Sequence, residues 1–317
     1  MPSAQRAPAA LLLRRGGEKL LFDCAEGTQR QLQRSIVGLP DLEEIFLTHL
    51  HGDHFLGLPR MLKTFALRGR DEPGLTVHGP RGLKDLFGNL RPFLGRLPYA
   101  LTLVELEPGE SLERGEYRID TFPVDHGVAA VGYAVVEHER PGRFDVDAAD
   151  ALDVPPGRER GILQGGETLT LHDGRVITPD AVLGPGRPGR KVVLTGDTAP
   201  SPGVVQAAHK ADLLVHEATF SSEEKERARE TLHATAAEVA RLAEVRLLAL
   251  THVSTRYFGP ELAREAREIF PDTVVARDFD LIEVPYAERG SPRLVRNGAR
   301  AVSSGSDDAD GADRAGG

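Results

Sequence analysis

Short apolar runs and alternating apolar–polar stretches cover most of the chain, with turn residues between them. "AALLLRRGGEKLLFDC" predicts two strands around a turn at Gly16-Gly17, and "EEIFLTH" predicts a buried strand. "LPRMLKTFAL" and "RGLKDLFGNLRPFL" space their apolar residues as helices do. "LTVHG", "ALTLVEL", "YRIDTFPVDH" and "VGYAVVEHE" follow as strands. Further on, "KVVLTGD", "DLLVHEATF" and "RLLALTH" read as buried strands, and "TVVARDFDLIEV" as one late strand. Two helices lie among them. "TAAEVARLAEV" opens on a capping box, Thr235 with Glu238, and "GPELAREAREIF" has Pro260 near its first turn.

Two stretches break this pattern. Residues 143–190 are rich in Pro and Gly and weakly periodic, which predicts a long surface loop inserted as an arm. Its one regular feature is "GETLTLHDGRVI", a small hairpin turning at Asp173-Gly174. Residues 302–317 are a low-complexity acidic tail, expected to be disordered.

Composition narrows the class. Of 317 residues, 40% are hydrophobic and 27% charged, as in an ordinary globular domain. Cys24 is the single cysteine, so a disulfide framework and a Cys-rich metal site are both excluded. That usage fits a reducing compartment, so the expected location is the cytoplasm. The apolar run near the N-terminus is too short for a signal segment or a membrane span, and no membrane partner is expected.

The net charge of −9 argues mildly against nucleic acid, but its distribution matters. Residues 301–317 carry four Asp and one Arg, leaving −6 for the rest. Residues 60–96 hold eight Lys/Arg against three Asp/Glu. Two solvated helical faces and a phosphate-binding surface both fit that stretch.

The chemistry concentrates in "THLHGDH", which places His49, His51, Asp53 and His54 directly after a buried strand. Imidazole and carboxylate groups ligate zinc, and also manganese or iron. Gly52 lets the backbone turn, so that one short loop aims at two adjacent points. His126, Asp197 and His252 occupy the same kind of position at the ends of "YRIDTFPVDH", "KVVLTGD" and "RLLALTH". Each alone has a plain explanation as a strand-end or turn residue. Four strand ends carrying metal-type side chains are hard to explain by packing.

The order His-x-His-x-Asp-His, a distant His, a Gly-Asp and a late His resembles the metallo-β-lactamase superfamily. "FDCAEGTQRQL", "FLTHLHGDHFLGLPRML", "GDT", "HEATF", "LHATAAEVA" and "THVSTRY" resemble, in order and spacing, the ribonuclease Z family of transfer RNA 3′ endonucleases, over about residues 7–285. The resemblance implies an α/β fold, a four-layer αββα sandwich with an inserted arm, as one catalytic domain over residues 1–300. It implies two zinc ions, with manganese as the alternative: His49, His51 and His126 on one, Asp53, His54 and His252 on the other, Asp197 between them. It implies Asp53 as general base, His233 as general acid and Glu217 as the partner of His233. Arg256, four residues past His252, is a candidate phosphate clamp. His216 reads as a packing or supporting histidine, and His78, His138, His172 and His209 as ordinary ones.

The implied reaction is cleavage of precursor transfer RNA on its 3′ side, leaving a 3′-hydroxyl and a 5′-phosphorylated trailer. The implied assembly is a homodimer in which one subunit's arm serves the other's site. Two departures accompany the resemblance. The arm at 143–191 holds seven Lys/Arg against eight Asp/Glu, where the family carries a basic stretch after Gly-Pro. The short strand and Gly-rich turn that open family members are missing ahead of "PSAQRAPAALLL", the mark of a misassigned start or a truncated chain; no ligand is lost with them. The alternative function is a small-substrate phosphodiesterase or other hydrolase of the same fold, which needs no arm. A metal-stabilised RNA-binding module without turnover is a third reading. A redox di-iron protein is disfavoured, because a carboxylate would replace His51.

Overall fold

β1 (Leu11–Arg15) and β2 (Glu18–Phe22) pair antiparallel around Gly16-Gly17, with Leu12 opposite Leu21. In the computed structural model, which describes residues 6–39 and 41–296, this hairpin edges a sheet. β3 (Glu44–Phe46), β4 (Leu75–Gly79) and β5 (Leu101–Glu105) add to it in parallel, in the order β1-β2-β3-β4-β5. The chain then builds β6 (Ser111–Glu113), β7 (Tyr117–Pro123) and β8 (Val131–Glu137). It leaves for the arm, which holds β9 (Leu169–Thr170) and β10 (Val176–Ile177). It returns as β11 (Lys191–Leu194), β12 (Leu213–Glu217), β13 (Leu247–Thr251) and β14 (Thr273–Val275). The second sheet runs β14-β13-β12-β11-β8-β7-β6.

Strand alternation produces four layers. Leu20, Phe22, Phe46, Tyr133, Leu194, Val215 and Ala249 face inward, between the sheets. Their neighbours Leu21 and Ile45 face the helix Gly57–Leu67 through Met61, Leu62 and Phe65. Leu214, Leu248 and Leu250 face the helices Ala236–Leu242 and Gly259–Arg267 through Val239 and Leu262. Each fully buried aliphatic or aromatic side chain contributes about 1.5–3 kcal/mol. The result is the expected αββα sandwich. Among the described residues no helix is long and apolar enough to cross a membrane.

Two expectations are corrected. The late strand is two strands: β14 ends at Val275, and β15 (Leu281–Glu283) pairs with β16 (Arg293–Val295) in a separate ribbon. Phe279 breaks the run with a φ of 67°, and the Arg277 N–H donates to Asp280 Oδ2 at 3.0 Å across the turn. The arm is not a loop. It carries helices Val146–Ala151 and Arg158–Gln164 around its own core of Ala149, Val154, Leu163, Leu169, Ile177 and Val182. Asp145 caps the first helix, accepting the Ala148 N–H at 2.9 Å. Helices of six and seven residues are too short to show a period in sequence. The acidic tail at 302–317 lies outside the described residues.

Glu137 anchors the root of the arm. Its buried carboxylate accepts from Arg15 Nε at 2.9 Å, and from Arg190 Nη2, Nε and backbone N at 2.6, 2.9 and 3.0 Å. Burial alone would raise its pKa; the bonds and charge of Arg190, then Arg15, outweigh it and lower it to about 2. A carboxylate with a depressed folded-state pKa stabilises fully above its unfolded value, about 4.3, and loses that contribution as pH falls towards the folded value. Glu137→Gln is therefore expected to lower stability by about 3 kcal/mol at pH 7, because it takes the carboxylate from the part-buried Arg190, while Arg15 keeps Glu116 at 2.7 Å. In urea unfolding, the gap to the parent protein should close as the pH drops from 5 to 3. A constant gap would show that charge pairing is not what Glu137 contributes.

Candidate metal centre

β3 delivers the first cluster. Beyond Phe46 the chain stays extended; Leu47 N–H donates to the His78 carbonyl at 2.8 Å and Thr48 N–H to Asp23 Oδ1 at 2.8 Å. It then turns into the one-turn helix Gly52–Phe55, which puts the His54 ring 4.0 Å from that of His49 and Asp53 Oδ2 3.5 Å from His252 Nε2. The helix beginning at Gly57 packs on the Cys24–Ala25 backbone. A Cβ at Gly57 would sit 1.9 Å from the Ala25 carbonyl oxygen, so only glycine permits this seat. Asp197 arrives from β11 on a loop whose Gly196, at a φ of +64°, passes so close that a Cβ would meet Thr48 at 2.6 Å. His252 follows β13 directly, at a φ of 50°, a left-handed conformation that costs a non-glycine residue about 1–3 kcal/mol.

The fold brings all seven predicted residues together. Ligand atoms of His49, His51 and His126 lie within 4.8 Å of one another, as do those of Asp53, His54 and His252. Asp197 sits between the sets: Oδ1 is 3.4 Å from His54 Nε2, and Oδ2 is 3.3 Å from His252 Nε2 and 4.0 Å from His126 Nε2.

The hydrogen-bond partners fit a cage for cations. Nδ1 of each of four histidines is taken: by Thr48 Oγ1 for His49 at 3.1 Å, Asp23 for His54 at 2.8 Å, the Leu232 carbonyl for His126 at 3.3 Å and Thr219 Oγ1 for His252 at 2.8 Å. The Nε2 atoms of His49, His54 and His252 are buried without a hydrogen-bond partner. A buried polar atom left so costs about 1–3 kcal/mol, unless a cation takes the lone pair. Burial first, then the neighbouring imidazoles, pushes the His49 pKa down to about 2, so its ring is neutral and able to ligate. Burial would raise the Asp197 carboxyl, but His252 and His54 hold it well below its usual range. Asp53 is held low by the facing His252 imidazole first. These donor atoms fit divalent cations.

His233 and Glu217 form a pair beside this cage. His233 Nδ1 donates to Glu217 Oε1 at 2.6 Å, and its ring stacks on His252 at 5.5 Å between centroids. Burial alone would lower the His233 pKa; the bond and charge of Glu217 outweigh it and raise it. Arg256 stands apart from this cluster. It is exposed and holds Glu224 at 3.2 Å. His216 is fully buried, with Nδ1 2.8 Å from the Glu217 carbonyl. His78 packs against Phe46 and bonds Glu44 at 2.9 Å, while His138, His172 and His209 lie toward the surface.

A model of the metallo-beta-lactamase superfamily matches residues 5–243. A ribonuclease Z of Gemmatimonas aurantiaca is 48% identical over 295 residues, 90% of this chain and 93% of that one. This chain belongs to the ribonuclease Z family of the metallo-β-lactamase superfamily. A ribonuclease Z of Haloferax volcanii is 46% identical over 91% of this chain and 93% of its own. Among solved structures, the short form of human tRNase Z superposes with a TM-score of 0.64 at 27% identity, covering 90% of this chain and 95% of that one. YhfI of Bacillus subtilis, at 18% identity and a TM-score of 0.62, shares the fold.

Family membership leaves four residues unassigned by sequence reasoning: Asp23, Thr48, Thr219 and Leu232. Each holds the Nδ1 of a cage histidine. Asp23 and Thr219 stand inside the quoted "FDCAEGTQRQL" and "HEATF" segments, but nothing in a one-dimensional pattern says which ring nitrogen they meet. The basic stretch resolves in part: Arg60, Arg68, Arg81, Lys84, Arg91 and Arg96 are exposed, whereas Arg70 is spent on the carbonyls of Leu42, Pro73 and Gly74.

Proposed function

We propose that this protein is a zinc-dependent endoribonuclease that cleaves precursor transfer RNA on its 3′ side, leaving a 3′-hydroxyl and releasing a 5′-phosphorylated trailer. The observation that carries the reading is the juxtaposition of a seven-residue cage and a His233–Glu217 pair whose imidazole stacks on that of the cage residue His252. The curated relatives named above are ribonuclease Z proteins, and the human structure is a tRNase Z.

In this reading His49, His51 and His126 hold one zinc, Asp53, His54 and His252 hold the other, and Asp197 serves both. Imidazole-rich donors favour zinc, and manganese is the second choice. Bound there, the cations would neutralise the phosphodiester charge and make a water acidic enough to attack near neutral pH. Asp53, at the edge of the cage and kept ionised, would orient the attacking water and accept its proton. His233 gives a proton to the leaving 3′ oxygen, and Glu217 holds its ring in the Nδ1–H orientation that leaves Nε2 toward the substrate. Arg256 must leave Glu224 to clamp a phosphate.

The arm is the substrate-gripping element of the reading. Two antiparallel bridges, Arg140 with Arg187 and Phe144 with Leu183, lead out to its separate core. Its removal therefore leaves the sandwich intact. The assembly is read as a homodimer on the family resemblance, and the location as cytoplasmic on the lone buried Cys24.

One experiment tests this: cleavage of an unprocessed precursor transfer RNA, with both new ends mapped, by the full chain and by a variant with residues 143–183 replaced by a short linker. The full chain should leave the stated ends. The variant should lose at least about tenfold on the RNA and stay within about threefold on a small chromogenic phosphodiester, because binding energy remote from the cut is spent at the cut. A 2′,3′-cyclic phosphate, or equal effects on both substrates, would point to the small-substrate hydrolase instead.

A further inference from the structure

The arm has little charge to offer a phosphate backbone. Residues 143–183 hold four Arg against eight Asp/Glu. Arg160 is bound to Asp150 and to the Val154 carbonyl, and Arg175 to Asp173 at 2.7 Å and Asp153 at 3.1 Å. At the root of the arm, Arg140 and Arg187 hold Glu288 at 2.9 and 3.3 Å, and Arg190 holds Glu137 at 2.6 Å.

The helix layer over the first sheet is the reverse. The helices Thr28–Arg34, Gly57–Leu67 and Leu83–Leu94 lie side by side there, with Gly57–Leu67 in the middle. Thr64 Oγ1 donates to Gln29 Oε1 at 2.9 Å between the first two. Their inner faces are spent on the core, through Leu32, Met61, Phe65 and Phe87. Their other faces carry cations. Arg30 and Arg34 are four residues apart, Arg60 and Lys63 three, and Lys84 and Arg91 seven, spacings that return to one side of a helix. Among the described residues none of these six forms an ion pair with a carboxylate. Residues 27–39 add two Arg and no acidic residue to the eight against three of residues 60–96, a surplus of seven positive charges in a chain of net −9.

This surplus starts at the cage. The Gly57–Leu67 helix follows the His54 turn directly, and Asp23, just ahead of Thr28, bonds His54 Nδ1 at 2.8 Å. Gly82, which opens the third helix, lies against Leu50, between His49 and His51; a Cβ there would be 3.6 Å from Leu50 Cδ1. All three helices therefore begin beside the ligand loop and run away from it. An 11-residue helix is about 16 Å long, and three helices packed about 8–10 Å apart make a face about 20 Å across. A face of that breadth suits a duplex, with phosphates of both strands in reach, better than one strand in a groove.

We propose that the layer formed by the helices Thr28–Arg34, Gly57–Leu67 and Leu83–Leu94 is a phosphate-binding face for the double-helical part of the RNA beside the cut, and that the charge attraction for substrate comes from this face and not from the arm. The inference extends the endoribonuclease reading above and rests on it. The arm leaves the second sheet between β8 and β11, so the two elements reach the RNA from different layers. Binding of this kind has a signature: each phosphate neutralised releases counterions, and the logarithm of affinity falls by about 0.7–0.9 per contact for each tenfold rise in salt.

The test compares two triple variants of the full chain. R30Q/R60Q/R91Q takes one cation from each helix of the face. K210Q/R241Q/R264Q removes the same net charge from exposed positions on the helix layer over the second sheet. Both sets lie on the surface, where substitutions seldom decide folding. Binding of mature transfer RNA is measured between about 50 and 200 mM salt. The face variant should have a log–log slope shallower than the parent by about two, and a Kd at about 100 mM salt raised about tenfold or more. A duplex RNA of about 12 base pairs should show the same loss. On precursor transfer RNA its KM should rise by a similar factor with kcat within about threefold, and turnover of a small chromogenic phosphodiester should stay within about twofold. The second variant should keep the slope within about 0.5 and the Kd within about twofold of the parent. An unchanged slope in the face variant would leave these cations to solvent or to an acidic protein and overturn the proposal. Equal changes in the two variants, or a loss on single-stranded RNA without one on the duplex, would overturn it as well. A parent that cleaves precursor to the stated ends while the face variant behaves like it rejects the face and keeps the endoribonuclease reading. A parent that binds duplex through this face and cleaves no precursor removes that reading and leaves the face standing.

Discussion

Asp197→Asn should lower precursor transfer RNA cleavage by about a thousandfold or more and leave the purified protein short of zinc. The side chain is buried, and its two oxygens face His54 and His252 at 3.4 and 3.3 Å, with His126 at 4.0 Å. Among the described residues it is the one carboxylate grouped with histidines of both ligand sets. The amide removes the negative charge that closely spaced cations need between them, and replaces one oxygen donor with an N–H₂ group that has no lone pair to offer a cation. Cation stabilisation of a phosphodiester transition state is worth several kcal/mol, and about 4 kcal/mol corresponds to a thousandfold in rate. Elemental analysis and single-turnover cleavage measure the two effects. Chelation followed by zinc should restore the parent protein and not the variant. An Asn variant that keeps two zinc ions and cleaves at the parent rate would remove Asp197 from the centre.

The second large effect separates proton donation from cation chemistry. His233→Ala should slow precursor cleavage by about a hundredfold to ten-thousandfold, the usual range for losing a general acid. The same variant should stay within about tenfold of the parent on bis(p-nitrophenyl) phosphate, whose leaving group is stable as an anion and needs no proton. Zinc content should not change: although a ligand atom of His233 lies within 4.8 Å of those of His126 and Asp197, its Nδ1 is bound by Glu217 and the two histidine-rich sets have their donors without it. Its pKa is raised by Glu217 against the opposing effect of burial, the direction a proton donor needs. Equal losses on the two substrates would mean that His233 supports the cage and is not the acid. Glu217→Gln is the companion: it keeps the size of the partner and weakens the hold on the same proton, so it should move the two substrates in the same unequal way.

How much of this was legible before folding depends on where the information lay. The strands around "THLHGDH" could be read because consecutive residues alternate between a helix-covered face and the inter-sheet layer, as Leu20 and Leu21 do. The arm was misread as a loop because its helices are one to two turns long, and its core is closed by Phe144 and Val182, residues far apart in sequence. The late strand was misread because hydrophobicity continues through Phe279 while the backbone does not. Arg256 looked free beside His252 in the sequence, and the fold gives it Glu224, 32 positions away.

The sequence by itself determined which atoms were available: seven nitrogen- and oxygen-bearing side chains placed at strand ends, a short loop able to supply four of them, and a two-sided apolar pattern that demands covered sheets. Residue type and local spacing are sufficient for that, since both are properties of a stretch of chain. Only the tertiary structure decided which group faces Nδ1 of His54, His126, His252 and His233: Asp23, Leu232, Thr219 and Glu217 in turn. Those outcomes depend on hydrogen bonds between residues 16 to 106 positions apart, closed only when both sheets are in place, and no pattern along the chain encodes such a distance.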